Sequence, residues 1–209
     1  MRTAWRPLVG SILASGLLGW AAPAGAGGSL DFLFSVEHVN SDQQYFLGLT
    51  VSNYGYSRRT LEPLLPRLRN VEVDLPVALF LARESGRGLD VIVGWRSEGL
   101  SWSVILGRAG VPVDVLFAGI AVDPGPPYGK AWGYWKKNPR GARLSDADVS
   151  RLVQIQIGSR LAGVTPLELA RARGQGRSVA VVVAEKKGRP YQKAKPATAA
   201  RRGKGKPKP

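Results

Sequence analysis

The sequence predicts a mainly α protein with a small β-hairpin, built as two degenerate three-helix units joined by an irregular aromatic-basic connector. Three observations predict it. First, residues 75–111 align without gaps onto residues 152–188, an offset of 77, with seven of the 37 pairs identical. The identities are Leu75/Leu152, Arg83/Arg160, Gly86/Gly163, Arg96/Arg173, Gly99/Gly176, Ser101/Ser178 and Val104/Val181, and apolar pairs such as Phe80/Ile157, Ile92/Leu169, Trp102/Val179 and Ile105/Val182 lie between them. A fixed offset of this kind marks one packing unit used twice. Second, the apolar stripes of both units begin at Ser, Thr or Asp and end at Gly, the residues that satisfy the free N–H and C=O groups of helix ends. Third, period-two apolar spacing flanks a polar turn over residues 30–51.

In chain order, Leu30, Phe32, Phe34 and Val36 fall on one face of an alternating run, and Asn40-Ser41-Asp42-Gln43 supplies turn residues. Tyr45, Leu47, Leu49 and Val51 alternate again, so a hairpin is expected. Residues 58–73 are ambiguous, because Leu61, Leu64, Leu65 and Leu68 have helical spacing while Pro63 and Pro66 disturb a helix longer than one turn. The first unit is expected to open near Asp74, acting as cap, with Pro76 in the first turn. Gly86 and Gly88 break that helix, a second runs over 89–97 to Gly99, and a third starts at Ser101 and runs to about Arg108. Residues 111–122 fit a strand or a packed extended segment, and Asp123-Pro124-Gly125-Pro126-Pro127 is irregular. The second unit opens at Ser145-Asp146-Ala147-Asp148 and stops at Gly163. It restarts at Thr165-Pro166-Leu167-Glu168, a capping-box pattern with Pro at the first helical position. After Gly176 a last element starts at Ser178; Val179, Val181, Val182 and Val183 suit a strand as well, and the repeat favours helix.

The two ends differ from this middle. Arg2 and Arg6 precede an apolar stretch over residues 8–20, then Ala24-Gly25-Ala26. That three-part layout is a secretory signal peptide with expected cleavage after Ala26. The stretch of about 13 residues falls short of the roughly 20 needed to span a bilayer, so no transmembrane segment is expected in the mature chain. The formal net charge is +15, yet all 15 acidic residues lie between Asp31 and Glu185, and 10 basic residues follow Glu185 with no acid among them. Residues 27–187 thus read as one compact domain (27–73 hairpin region, 74–111 first unit, 112–144 connector, 145–187 second unit), and 188–209 as a disordered, low-complexity basic tail. With no cysteine in the chain, disulfides, thiol nucleophiles and thiolate-bound metals are excluded.

Catalytic chemistry finds little support. His38 is the only histidine and continues the apolar face of the expected hairpin, which suits a half-buried strand residue better than a general base. Asp146 and Asp148 are a carboxylate pair already explained by helix capping. No catalytic residue, metal or cofactor is therefore expected. The best binding candidate is the connector, where Tyr128, Trp132, Tyr134 and Trp135 stand among Lys130, Lys136, Lys137 and Arg140. Aromatic faces beside cations stack on sugars or bases and attract anions; the same aromatics also suit pinning a loop onto the helices. In the tail, Lys193, Lys195, Arg201, Arg202, Lys204, Lys206 and Lys208 would attract any polyanion in a salt-sensitive way.

Two resemblances follow from particular residues. Residues 156–173, centred on Arg160-Leu161-Ala162-Gly163-Val164-Thr165-Pro166, resemble the first two helices of a DNA-binding helix-turn-helix. Glu168 at the start of the second helix departs from that pattern, because it would repel phosphate. The combination of a signal peptide, Leu75-Pro76-Val77, Gly99-Leu100-Ser101-Trp102, residues 127–137 (Pro-Tyr-Gly-Lys-Ala-Trp-Gly-Tyr-Trp-Lys-Lys) and Gly163-Val164-Thr165-Pro166 is similar to secreted bacterial proteins of unknown function. That similarity implies a compartment and paired helical units, with no activity. The expectation is an exported, non-enzymatic envelope or periplasmic interaction protein whose basic tail meets an anionic polymer or membrane surface. A nucleic-acid-binding protein is the alternative, and an enzyme acting on envelope polymers ranks last.

Overall fold

A computed structural model describes residues 41–139 and 143–188, together with Leu33 and Val39. The signal-like segment, His38, Arg140 and the tail lie outside the described residues. The elements in chain order are α1 (Asp42–Tyr54), α2 (Arg58–Leu61), a 3-10 turn (Leu65–Arg67), α3 (Val71–Ser85), α4 (Leu89–Ser97) and α5 (Trp102–Ala109). A second 3-10 turn (Val113–Phe117), α6 (Gly129–Lys137), α7 (Asp146–Ala162), α8 (Pro166–Gly174) and α9 (Val179–Lys186) follow. The protein is mainly α, and among the described residues there is no strand.

The repeat holds to the residue over most of its length. Adding 77 to the bounds of α4 gives those of α8, and adding it to the start of α5 gives the start of α9. Gly86 and Gly163 both close their helices in the left-handed region, at φ 68° each. Ser101 and Ser178 cap α5 and α9 by accepting from the N–H groups of Val104 and Val181. The last element of the second unit is therefore a helix, although its valines also suit a strand.

Three expectations are corrected. The second arm of the hairpin is α1. Ser41 accepts from the Gln44 N–H at 3.1 Å, and Gly55 closes the helix at φ 71°. The alternating reading left out Phe46, which would point away from Tyr45 and Leu47 in a strand. In α1 all three are buried, because the helix packs against α3, α7 and α9 on different sides. Of the first arm only Leu33 and Val39 are described, and both are buried in the core. The second correction concerns α3, whose N-cap lies four residues before the expected one: Asn70 is the N-cap, its side chain accepting from the Val73 N–H. Pro76 consequently sits inside the helix and Asp74 inside the protein, 2% exposed. Third, the connector is not irregular throughout. Residues 129–137 form α6, and the segment expected as a strand or a packed extended piece contains the 3-10 turn Val113–Phe117.

The core is one cluster centred on α3 and α7, which lie side by side in the same direction. Near their starts Arg96 bridges Asp74 of α3 (3.0 Å) and Asp146 of α7 (2.6 Å). At their ends Arg160 of α7 pairs with Glu84 of α3 at 3.0 Å and lies over the Phe80 ring. Its repeat partner Arg83 lies over the Tyr54 ring. Burial pushes the Tyr54 hydroxyl up to about 12, and the nearby cations Arg160 and Arg83 offset only part of that shift.

The start of α7 carries a full reciprocal capping box. Ser145 Oγ accepts from the Asp148 N–H at 3.2 Å, and Asp148 Oδ2 accepts from the Ser145 N–H at 3.3 Å. At Thr165 the hydroxyl accepts from the Glu168 N–H, while the Glu168 carboxylate reaches Lys186. Burial raises the Asp148 pKa, but the Ser145 hydroxyl and N–H and the Arg151 guanidinium outweigh it, and the carboxyl ends below its ordinary value. A depressed carboxylate pKa contributes stability above the ordinary value, about 4, and that contribution is lost as pH falls through the lower folded value. Asp148→Asn is therefore expected to flatten the acid limb of a Tm-against-pH curve below about pH 4. A limb identical to that of the unchanged protein would show that the box does not couple to folding.

Candidate functional site

The connector is built from its irregular half upward. Asp123 Oδ1 accepts from the Gly125 N–H at 2.8 Å, turning the chain into the prolines. A Cβ at residue 129 would sit 2.8 Å from the same carboxylate oxygen, so the Asp123 side chain packs closely against the start of α6. The connector is tied to α7 by Gln156, whose Nε2 donates to the carbonyls of Leu116 and Ala118 at 3.1 and 2.9 Å. It also touches both ends of α8. A Cβ at residue 119 would come within 2.9 Å of Pro166, and one at residue 174 within 2.7 Å of the Pro126 carbonyl.

The aromatic residues divide into two roles. Tyr128 is buried, and burial raises its hydroxyl pKa against the opposing pull of Arg173. Trp132 Nε1 donates to the Ile120 carbonyl at 3.2 Å. Trp135 Nε1 donates to Asp114 at 2.7 Å, and its ring stacks on Phe117 with centroids 4.5 Å apart. These three rings hold the connector down, each using its apolar body and its polar edge against the protein. Lys136 lies over both indoles, with Nζ 4.8 Å from the Trp135 centroid and 5.6 Å from that of Trp132.

What faces outward is a narrower set. Lys130, Tyr134 and Lys137 are exposed and stand at i, i+4 and i+7 on α6, one side of a helix. Tyr134 is 48% exposed. Lys136 and Lys137 occupy the last turn of α6, where cations suit the negative end of the helix dipole. Residues 124–145 contain five basic residues and no acidic one, so no carboxylate within the segment neutralises that side. Of the sequence-derived connector residues, the structure brings Lys130, Tyr134 and Lys137 together on one surface and assigns Tyr128, Trp132 and Trp135 to the scaffold. Arg140 and the tail residues lie outside the described residues.

Sequence reasoning missed a second polar cluster. Asp74 Oδ1 accepts from Arg96 Nε (3.2 Å) and from Trp102 Nε1 (3.1 Å), and its Oδ2 accepts from the Asn70 N–H (3.2 Å). Asp146 Oδ1 accepts from the Trp102 N–H at 2.7 Å, and the Arg96 guanidinium lies over the Trp102 ring. The available signal was Asp74 itself, one acid amid a long apolar run. The repeated arginines share one feature: Arg96 donates Nη1 to the Leu100 carbonyl and Arg173 to that of Arg177, four residues on in each case. Their other partners differ, because Arg151 stands 77 residues after Asp74. The cluster ties the two units together and leaves Asp146 bonded to Arg96 and the Trp102 N–H.

Elsewhere an open cleft of about 330 Å³ lies between the first turns of α1 and α9, lined by Asp42, Glu72, Gln154, Arg173 and Ser178 among others. It mixes both signs of charge. Among the described residues no group of three or more His, Asp and Glu side chains is placed to hold a metal, and no helix is long and apolar enough to cross a membrane. Comparison with protein-family models, curated proteins and solved structures found no match to this chain.

Proposed function

We propose that the protein is an exported, non-enzymatic interaction protein of the envelope or periplasm, which holds an anionic polymer or surface through its basic tail and the outer side of α6. The observation that carries this reading is the Lys130–Tyr134–Lys137 row, set in a segment of five basic residues and no acidic one. Three neighbouring rings are committed to the scaffold, so the row is presented on a rigid element. The tail adds eight cations over residues 188–209 and supplies long-range, salt-screened attraction, while the α6 row supplies a fixed contact.

Truncation after Lys187 should leave the thermal transition in place and remove most binding to anionic liposomes or DNA at low salt. Lys130→Glu combined with Lys137→Glu should weaken what remains by at least roughly tenfold, taking about 1 kcal/mol per cation near an anionic surface. Unchanged binding in both variants would overturn the proposal. The intact mass of the protein from fractionated cells tests the compartment: loss of residues 1–26 is expected, and a full-length cytoplasmic product would contradict export.

A further inference from the structure

A separate surface, on α4 and α5 of the first unit, has a different composition. Trp95 is half-buried, and two guanidiniums lie against its ring, Arg108 at 4.7 Å and Arg87 at 5.5 Å from the centroid. Val91, one turn before Trp95, is 38% exposed, and Val104, one turn before Arg108, is 54% exposed. They are two of the four large hydrophobic residues left exposed among the described residues. Arg67 reaches α4 and Arg69 the chain just past it, their Nη2 atoms lying 3.2 and 3.7 Å from where Cβ atoms at residues 94 and 99 would stand.

Among the described residues none of Arg67, Arg69, Arg87 and Arg108 has a carboxylate within 4 Å, whereas Arg96 on the same helix is fully paired. Asp90 lies over the start of α4, beside Gly88; Glu98 stands just past its other end, where Asp74 and Asp146 are taken up by Arg96. The duplicated surface keeps Val104, as Val181, but loses the rest of this composition. At the positions of Arg87, Val91, Trp95 and Arg108 the second unit has Val164, Glu168, Ala172 and Glu185. The feature therefore does not come with the scaffold, which folds without it in the other copy.

We infer that the α4/α5 surface docks on an anionic phospholipid membrane. The chemistry is that of an interfacial side chain set. A Trp with a buried body and a wet edge sits at headgroup depth, and exposed valines beside it enter the acyl boundary. Arginines over the ring bury their stems along it and turn their forks to lipid phosphates, which they bind bidentately. The exposed valines distinguish this surface from one built for nucleic acid, where the apolar contacts would remain in water between phosphates. The inference concerns other residues than the α6 row and the tail, and each can fail alone.

The test uses the chain from residue 27 with its tail, on vesicles of phosphatidylglycerol and phosphatidylcholine with brominated acyl chains. Binding should quench tryptophan fluorescence, and Trp95→Phe should remove most of that quenching although Trp102, Trp132 and Trp135 remain. Arg87→Glu with Arg108→Glu should lower partition onto phosphatidylglycerol vesicles by at least roughly twentyfold. Val104→Asp serves as a second variant at an exposed position, with near-UV circular dichroism confirming folding. Quenching that persists in Trp95→Phe, or partition unchanged in both the double variant and Val104→Asp, overturns the inference. So does a loss confined to duplex DNA binding with vesicle binding intact.

Discussion

Replacing Asp74 by alanine is expected to destabilise the protein by roughly 3–5 kcal/mol, the range for removing one partner of a buried ion pair. The size follows from what is left behind. Arg96, with its side chain only 14% exposed, keeps its bond to Asp146 but loses the carboxylate on its other side. The indole N–H of Trp102, a fully buried residue, loses its acceptor, and so does the Asn70 N–H at the start of α3. For a folded part of this size the change corresponds to a fall in Tm on the order of 10 °C. A double-mutant cycle with Arg96→Met separates interaction from packing. The two losses should be less than additive, because Arg96→Met alone leaves the Asp74 carboxylate buried without its cation, Asp74→Ala alone leaves Arg96 with only Asp146, and the pair together removes both charges. Additive losses measured by urea denaturation would mean that Asp74 and Arg96 act on stability independently.

Gly158→Val is expected to cost on the order of 3 kcal/mol, at the upper end of what overpacking a core produces. Gly158 lies in the middle of α7, where α8, α9 and α1 converge. A Cβ there would overlap Val179 Cγ1 and come within 2.8 Å of Leu169 Cδ2. Neither neighbour can move away easily, since Val179 and Leu169 are both buried in the same cluster. The repeat shows what the glycine replaces. Its counterpart is Leu81 and the counterpart of Val179 is Trp102, so the first unit fills with two large side chains a space the second closes by bringing backbones together. Gly107 in α5 is the control, because nothing lies within 4 Å of its Cβ position. Gly107→Ala should raise stability by about 0.5–1 kcal/mol through helix propensity alone. Two helical glycines should thus give opposite signs by chemical denaturation. A neutral Gly158→Val would mean that α9 can shift without loss.

Much of the helical pattern was legible because helix ends are local. Ser101, Ser145, Thr165 and Ser178 each accept from a backbone N–H three residues on, and Gly86, Gly99, Gly163 and Gly176 all adopt positive φ. Such signals need no knowledge of the rest of the chain. The hairpin reading failed because periodicity describes one buried face, and α1 is buried on several. The candidate site was half legible. Lys130, Tyr134 and Lys137 do face outward, but three of its aromatics find their partners 12 to 45 residues away in sequence, as Trp132 does at Ile120 and Tyr128 at Arg173.

The duplicated helical frame, its punctuation and the gathering of most excess positive charge in the tail could be read from spacing and residue type alone. Which arginines are neutralised could not. Arg96 and Arg173 look alike in sequence and share the same carbonyl contact, but Asp74 and Asp146 converge on the first alone. Charge pairing depends on distances of a few ångströms between residues distant in the chain, and packing α3 beside α7 is what sets those distances.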